Sequence, residues 1–252
     1  MAVEPGLPEP SDVPLLSGLP EPADLPGVLL ITGTDTEVGK TISTAALAAV
    51  LSGVGSVAVY KPVQTGVSGS EPGDAAEVAR LSGIRDAVEG IRFRDPMAPV
   101  AAAEREQRKL PGIAEHAQRI EALGSRFDWV LVEGSGGVLV HLDDAGGTLA
   151  DLPAVLAADC GAVVVSRAGL GTLNHTALTV AALASRGVAR VGLVVGSLPG
   201  LPGLVESSNL RTLAAGREPL LAAIPAGAGG LDPAEFRNSA GSWFAGQLNS
   251  RL

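Results

Sequence analysis

An apolar run that ends in a glycine-bearing loop and reopens as a helix narrows the fold more than any other feature of this chain. Val28–Ile31 is such a run. It leads into Gly33-Thr34-Asp35-Thr36-Glu37-Val38-Gly39-Lys40-Thr41, and a helical pattern follows over about Gly39–Leu51. Ser56–Tyr60, Trp129–Val132, Ala162–Val165, Val191–Val195 and Leu220–Ile224 are further short β-branched or aliphatic runs. Helical patterns at about Asp74–Leu81, Ile113–Leu123, Asn174–Arg186, Val205–Ala214 and Pro233–Leu248 separate or follow them. Strands that are apolar without alternation are buried on both faces. The alternation therefore predicts an α/β fold: a mostly parallel sheet with helices on both faces. A chain of 252 residues suffices for one such domain. Because 46% of it is apolar but only 3% aromatic, the core must be built from Ala, Val and Leu. Ligands of such sheets sit at the carboxyl ends of the strands, where the motifs below fall.

Residues 1–27 form a separate zone with seven of the eighteen prolines and a short repeat, GLPEPSD at Gly6–Asp12 and GLPEPAD at Gly18–Asp24. Proline at this density blocks helices and strand pairing, so a disordered acidic tail is expected there, with the domain over residues 28–252. The net charge of −9 repels phosphate backbones and anionic lipid, which argues against nucleic acid and membrane partners. Cys160 is the only cysteine, so neither an intrachain disulfide nor a cysteine metal cage can form. No signal peptide is recognisable and no apolar stretch is long enough to span a bilayer; a soluble, cytoplasmic protein is expected.

Gly39-Lys40-Thr41 matches the ending of a phosphate loop, and its place between a buried strand and a helix predicts a P-loop NTPase-type domain. A helix N-terminus presents free N–H groups and a positive dipole end to phosphate oxygens. Lys40 adds a point charge at the β/γ-phosphates, and the Thr41 hydroxyl suits Mg²⁺. The position of the usual first glycine holds Thr34, with Gly33 one residue earlier.

Only three lysines occur against fifteen arginines, and two of the three lie in motifs. Where Arg is used so freely, a retained Lys points to a need for its compact charge. The second is Lys61 in Tyr60-Lys61-Pro62-Val63-Gln64-Thr65-Gly66, projecting from the same sheet edge as the phosphate loop. Beside Lys40 it reads as a second cation on a transferring phosphoryl group or an acid substrate. Asp74 follows Gly73 at a helix start, and Glu133 ends the run Trp129–Val132 ahead of Gly134-Ser135-Gly136-Gly137. Glu133 resembles a Walker-B-type carboxylate; with Thr41 and Asp74 it gives the all-oxygen set that Mg²⁺ prefers.

Taken together, GTDTEVGKT (Gly33–Thr41), YKPVQTG (Tyr60–Gly66), GDA (Gly73–Ala75), VEGSGG (Val132–Gly137) and GLGTLNHT (Gly169–Thr176) resemble the dethiobiotin synthetase family, from about Val28 to Leu248. The resemblance implies a homodimeric ligase of biotin biosynthesis that uses ATP, Mg²⁺ and CO₂ to convert 7,8-diaminononanoate (diaminopelargonate) into dethiobiotin. It assigns Glu37, Val38, Gly39, Lys40, Thr41 and Ile42 to the nucleotide. Thr36, Lys40 and Lys61 fall to the carbamate and transferring phosphoryl, Thr65 to the substrate, and Thr41, Asp74 and Glu133 to Mg²⁺. The resemblance also places Gly134, Ser135 and Gly136 beside the nucleotide. Gly171, Thr172, Leu173 and Asn174 open a helix that would receive the substrate carboxylate from the partner subunit.

The chain departs from the family after Val191–Val195. Some members place Asn-Asp there to read the base; this chain has Gly196-Ser197, with Pro225, Ala226 and Gly227 still expected near the base. A glycine has no amide to discriminate adenine, which leaves room for other nucleoside triphosphates beside ATP. A partition-type switch ATPase shares the predicted architecture, but it carries a lysine early in the phosphate loop, where this chain has Asp35. A glutaminase-linked cofactor ligase would need a catalytic cysteine domain for which the chain has no room. His141 and His175 are candidates for a general base by residue type alone.

Overall fold

The structure, a computed structural model, describes residues 16–244. Seven strands form one parallel sheet in the order β3-β2-β4-β1-β5-β6-β7. They are β1 (Val28–Gly33), β2 (Val57–Gln64), β3 (Ala87–Arg92), β4 (Trp129–Gly137), β5 (Cys160–Ser166), β6 (Val191–Leu198) and β7 (Leu220–Pro225). The helices are α1 (Lys40–Leu51), α2 (Asp74–Ser82), α3 (Pro99–Arg105), α4 (Ile113–Gly124), α5 (Thr172–Ala184), α6 (Leu204–Ala214) and α7 (Pro233–Trp243).

The apolar runs are buried on both faces because alternate residues feed two different cores. Leu29, Ile31, Val59, Leu131, Val163 and Val165 pack with α1, α2 and α7. Leu30, Val130, Val132, Val164 and Val195 pack with α3, α4, α5 and α6 on the other side. Each such side chain contributes roughly 1.5–3 kcal/mol by leaving water. The expected architecture is therefore observed, with two elements added. Strand β3 reads AVEGIR and sits half-buried at the sheet edge, so it lacks an apolar run; α3 has only seven residues. Trp243 and Phe244 are buried at the end of α7, whereas the expected continuation to Leu248 lies outside the described residues. Among the described residues no helix is long and apolar enough to cross a membrane.

The expected free tail is corrected over its second half; residues 1–15 lie outside the described residues. Leu16 is buried, the Ser17 N–H donates to the Leu220 carbonyl at 2.8 Å, and Leu19 and Leu25 pack against the core. A short 3₁₀ turn, Pro22–Asp24, follows. Leu19, Pro20, Asp24, Leu25 and Pro26 thereby line an apolar groove of about 300 Å³ with Gly161–Val163, Ala189–Gly192, Glu218, Pro219 and Leu221. The groove lies at the amino ends of the strands. Proline prevents helix and ladder but not burial of the leucines between prolines, which is why composition misled. Deleting residues 1–26 is expected to lower the melting temperature by about 3–10 °C, since burying Leu16 alone is worth roughly 1.5–3 kcal/mol. Turnover at 25 °C should be unchanged. A melting curve that superimposes on the full chain's would refute this packing.

One buried polar pair lies under α4. The Tyr60 hydroxyl meets His116 Nδ1 at 2.7 Å, and the His116 Nε2 has no partner. Burial, then the nearby Arg119 charge, pushes the His116 pKa down to about 4. The folded value lies below the unfolded one of about 6.5, so stability is fully present above pH 6.5 and is lost as the pH falls toward 4. The total loss is about 3 kcal/mol. The stability advantage of wild type over His116→Gln should shrink by that amount between pH 7 and pH 4, measured by denaturant titration. A constant difference would mean that His116 titrates as in the unfolded chain.

Candidate active site

Strands β1, β2 and β4 are neighbours through β4, and their register sets the site. Tyr60 pairs with Val132 and Ile31 with Glu133, so Lys61 and Glu133 emerge level with each other where β1 turns into the phosphate loop. Lys61 Nζ lies 2.9 Å from Glu133 Oε1 and 2.6 Å from Asp74 Oδ2, and donates to the Gly134 carbonyl at 3.0 Å. The Thr41 hydroxyl donates to the same Glu133 Oε1 at 3.0 Å. Burial would lower the Lys61 pKa, but the Glu133 and Asp74 carboxylates outweigh it and hold the ammonium above its ordinary value. Lys61 is therefore charged at every physiological pH.

The phosphate loop is shaped by close backbone approach. Gly39 has φ 93°, and a Cβ there would lie 2.4 Å from the Gly196 carbonyl oxygen. Glu37 adopts φ 56° without being glycine. The Thr34 N–H donates to the Val165 carbonyl at 2.9 Å, which ties the loop to β5. Gly39 ends the loop, so the N–H groups of Lys40, Thr41 and Ile42 open α1 without intrahelical partners. Lys40 folds back over the loop and donates to the Asp35 carbonyl at 2.9 Å. Burial, and secondarily the like charge of Lys61, lowers its pKa. Two ammonium groups that repel each other through buried surroundings form a field that an incoming polyanion would relieve.

Thr36, Glu37, Lys40, Lys61, Thr65, Asp74, Ser135 and Gly136 all line one cleft of about 630 Å³. Thr41, Glu133 and Gly134 support it from below through the contacts just given, and Val38 is buried beneath the loop. Ser197, Pro225, Ala226 and Gly227 are exposed at the carboxyl ends of β6 and β7, outside the cleft. They flank the start of α1, where Ile42 would meet a Cβ placed on Gly229. Gly196 is buried under the loop, and a Cβ on it would press against the Val38 carbonyl oxygen, so a side chain there would require the loop to shift. Gly171, Thr172, Leu173 and Asn174, at the start of α5, do not line this chain's cleft. Neither do His141 and His175.

Sequence reasoning missed the cleft's apolar wall, Pro96, Met97, Ala98 and Pro99 with Val140 opposite. The signal was the proline-flanked segment after Arg92, but with β3 unrecognised nothing placed that segment at the sheet edge.

A family model described as an AAA domain matches residues 28–229. The ATP-dependent dethiobiotin synthetase BioD of Streptomyces coelicolor is 51% identical over 224 residues, covering 88% of this chain and 93% of that relative. The enzyme of the same name from Mycobacterium marinum is 52% identical over 212 residues, covering 83% and 91%. The chain belongs to the dethiobiotin synthetase family. As a dethiobiotin synthetase family member it is an enzyme, an ATP-dependent ligase that forms C–N bonds. Among solved structures, the septum site-determining protein MinD of Pyrococcus horikoshii, complexed with Mg-ADP, has a TM-score of 0.50 at 16% identity, with 86% of this chain and 92% of that chain covered. That likeness shows the shared P-loop NTPase fold. The family model's match begins at Val28, after the packed residues 16–27.

Proposed function

We propose that the enzyme joins CO₂ to diaminopelargonate and closes the ureido ring of dethiobiotin, with ATP converted to ADP and phosphate. The observation that carries this reading is one cleft lined both by two buried ammonium groups and by an apolar segment. The ammonium groups suit a triphosphate beside a carbamate, and the wall of Pro96–Pro99 suits an alkyl chain. One substrate amine takes up CO₂ as a carbamate, losing a proton. A carbamate oxygen then attacks the γ-phosphorus as the bond to the ADP oxygen breaks. The second amine attacks the carbonyl of the mixed anhydride and expels phosphate. Converging negative charge raises the barrier to the middle step, and Lys40 and Lys61 are already placed to offset it. Thr36 and Thr65 border the same space and would orient the carbamate and the substrate.

Thr41, Asp74 and Glu133 would hold Mg²⁺, which would neutralise the β- and γ-phosphate oxygens. Glu133 Oε2 is buried with no hydrogen-bond partner, which suits a group that has a further ligand to meet. Among the described residues no three His, Cys, Asp or Glu side chains gather as a metal cage. The hydroxyl of Thr41 and the nucleotide's own oxygens would therefore complete the set.

The proposed unit is a homodimer. Over its first two turns helix α5 buries Thr172, Thr176 and Thr179 and exposes Leu173 and Leu178, with Leu170 just before it, the reverse of an ordinary surface helix, while Leu183 anchors its end in the core. A partner seated on that face would bring its Gly171–Asn174 segment to the substrate carboxylate. The test is to mix the protein with MgATP, bicarbonate and diaminopelargonate and to look for dethiobiotin by mass. Phosphate release that ignores the diamine, with no dethiobiotin formed, would sink the reading.

A further inference from the structure

Gln64, the last residue of β2, has no part in the chemistry just described, yet it is buried and makes two hydrogen bonds with its side chain. Its Oε1 accepts from the Asp74 N–H at 2.8 Å, and its Nε2 donates to the Thr65 carbonyl at 3.0 Å. Helix α2 begins after Gly73, which offers no side-chain cap. The free N–H of its first residue is satisfied instead by an amide borrowed from the neighbouring strand. Gly73 permits this approach, since a Cβ there would come within 2.9 Å of Gln64 Oε1 and 2.5 Å of Glu89 Oε1.

The loop between β2 and α2 has few other ties. Arg92 donates to the Gly69 and Glu71 carbonyls at 3.2 and 2.6 Å, and the Gly66 N–H reaches the Asp95 carbonyl at 3.1 Å. Those contacts hold the middle and the start of the loop, not its junction with α2. The Asp74 side chain is 35% exposed, so packing alone does not fix its carboxylate on Lys61.

We propose that Gln64 is a positioning residue: its amide locks the start of α2 to the end of β2 and thereby sets the Asp74 carboxylate on Lys61. This rests on the reading of Asp74 and Lys61 given above. Gln64→Met keeps the length of the side chain and removes both hydrogen bonds. In its crystal structure the Asp74–Lys61 separation should open beyond 4 Å; a pair retained near its present distance overturns the proposal. Gln64→Glu keeps the acceptor toward the Asp74 N–H and should keep the pair closed, and an open pair there overturns it equally.

Calorimetric ADP affinity with Mg²⁺ and with a chelator supplies a second readout. The Mg²⁺-dependent gain should fall about tenfold in Gln64→Met, while affinity under chelator stays unchanged, which a general loss of structure would not spare. Adding Gln64→Met to Asp74→Asn should cost nothing further; additive losses would place Gln64 in direct contact with the ligand and overturn the positioning role. If Asp74→Asn itself leaves the gain intact, the metal role of Asp74 fails, while the Asp74–Lys61 distance still decides the role of Gln64.

Discussion

Lys61→Ala loses turnover by roughly two to three powers of ten, the scale for removing one preorganised group that stabilises developing charge. The same substitution also lowers the melting temperature of the nucleotide-free enzyme, an effect the sequence did not reveal. Glu133 is 1% exposed and has Lys61 as its cation, at 2.9 Å. Removing one partner of a buried ion pair leaves the other charge uncompensated, at a cost of about 3–5 kcal/mol. In a domain of this size that is roughly 6–20 °C. The half-exposed Asp74 adds little, because water screens it. The two effects separate in Lys61→Ala/Glu133→Gln, where the orphaned charge is gone. That double variant should recover most of the melting temperature and none of the turnover. Turnover of Lys61→Ala within a few-fold of wild type would remove the residue from the chemistry. An unchanged melting point would mean that Glu133 is neutral or hydrated when Lys61 is absent.

Local signals carried most of the fold and the polar half of the site. Ile31, Tyr60 and Val132 sit in continuous apolar runs, and a parallel sheet buried on both faces is what such runs demand. Once β1, β2 and β4 are strands, Lys40, Lys61 and Glu133 must share their carboxyl edge. What stayed hidden depends on pairing across the chain. Strand β3 is held by its neighbour β2, through pairs such as Lys61 with Glu89, rather than by its own apolar content. The wall at Pro96–Pro99 inherits its place from β3. Leu19 and Leu25 read as part of a proline-rich tail because the groove they line is completed by Gly161, Val191 and Leu221, more than a hundred residues away. Gln64 looks like one more polar residue in a loop motif until α2 is seen to begin against it.

Gly196 shows the same limit most sharply, and its substitution has the second large expected effect. Read along the chain, it stands where an amide could face a nucleotide base. In the fold it is the floor under the phosphate loop: a Cβ would lie 2.1 Å from the Val38 carbonyl oxygen and 2.6 Å from Val165 Cγ1. Overpacking costs about 1–3 kcal/mol where side chains can shift, and the nearest atom here is backbone that shapes the phosphate site. Gly196→Ala should therefore weaken ATP binding by roughly a hundredfold, the upper end of that range. Gly196→Asn should bind no better than Gly196→Ala and should gain no preference for ATP. The dissociation constants of both variants for ATP and CTP decide this. Near-wild-type binding by Gly196→Ala would show that the loop moves aside freely. With glycine at 196 offering no amide, base selection would rest on the exposed Ser197 and Pro225–Gly227 and on the shape around Ile42. Losing a dedicated hydrogen-bonding pair relaxes selectivity by about 1–3 kcal/mol. CTP or GTP should thus support product formation at a measurable fraction of the ATP rate, read as the ratio of kcat/KM values. Rejection of both by more than about a thousandfold would mean that backbone groups of those exposed segments read the base unaided.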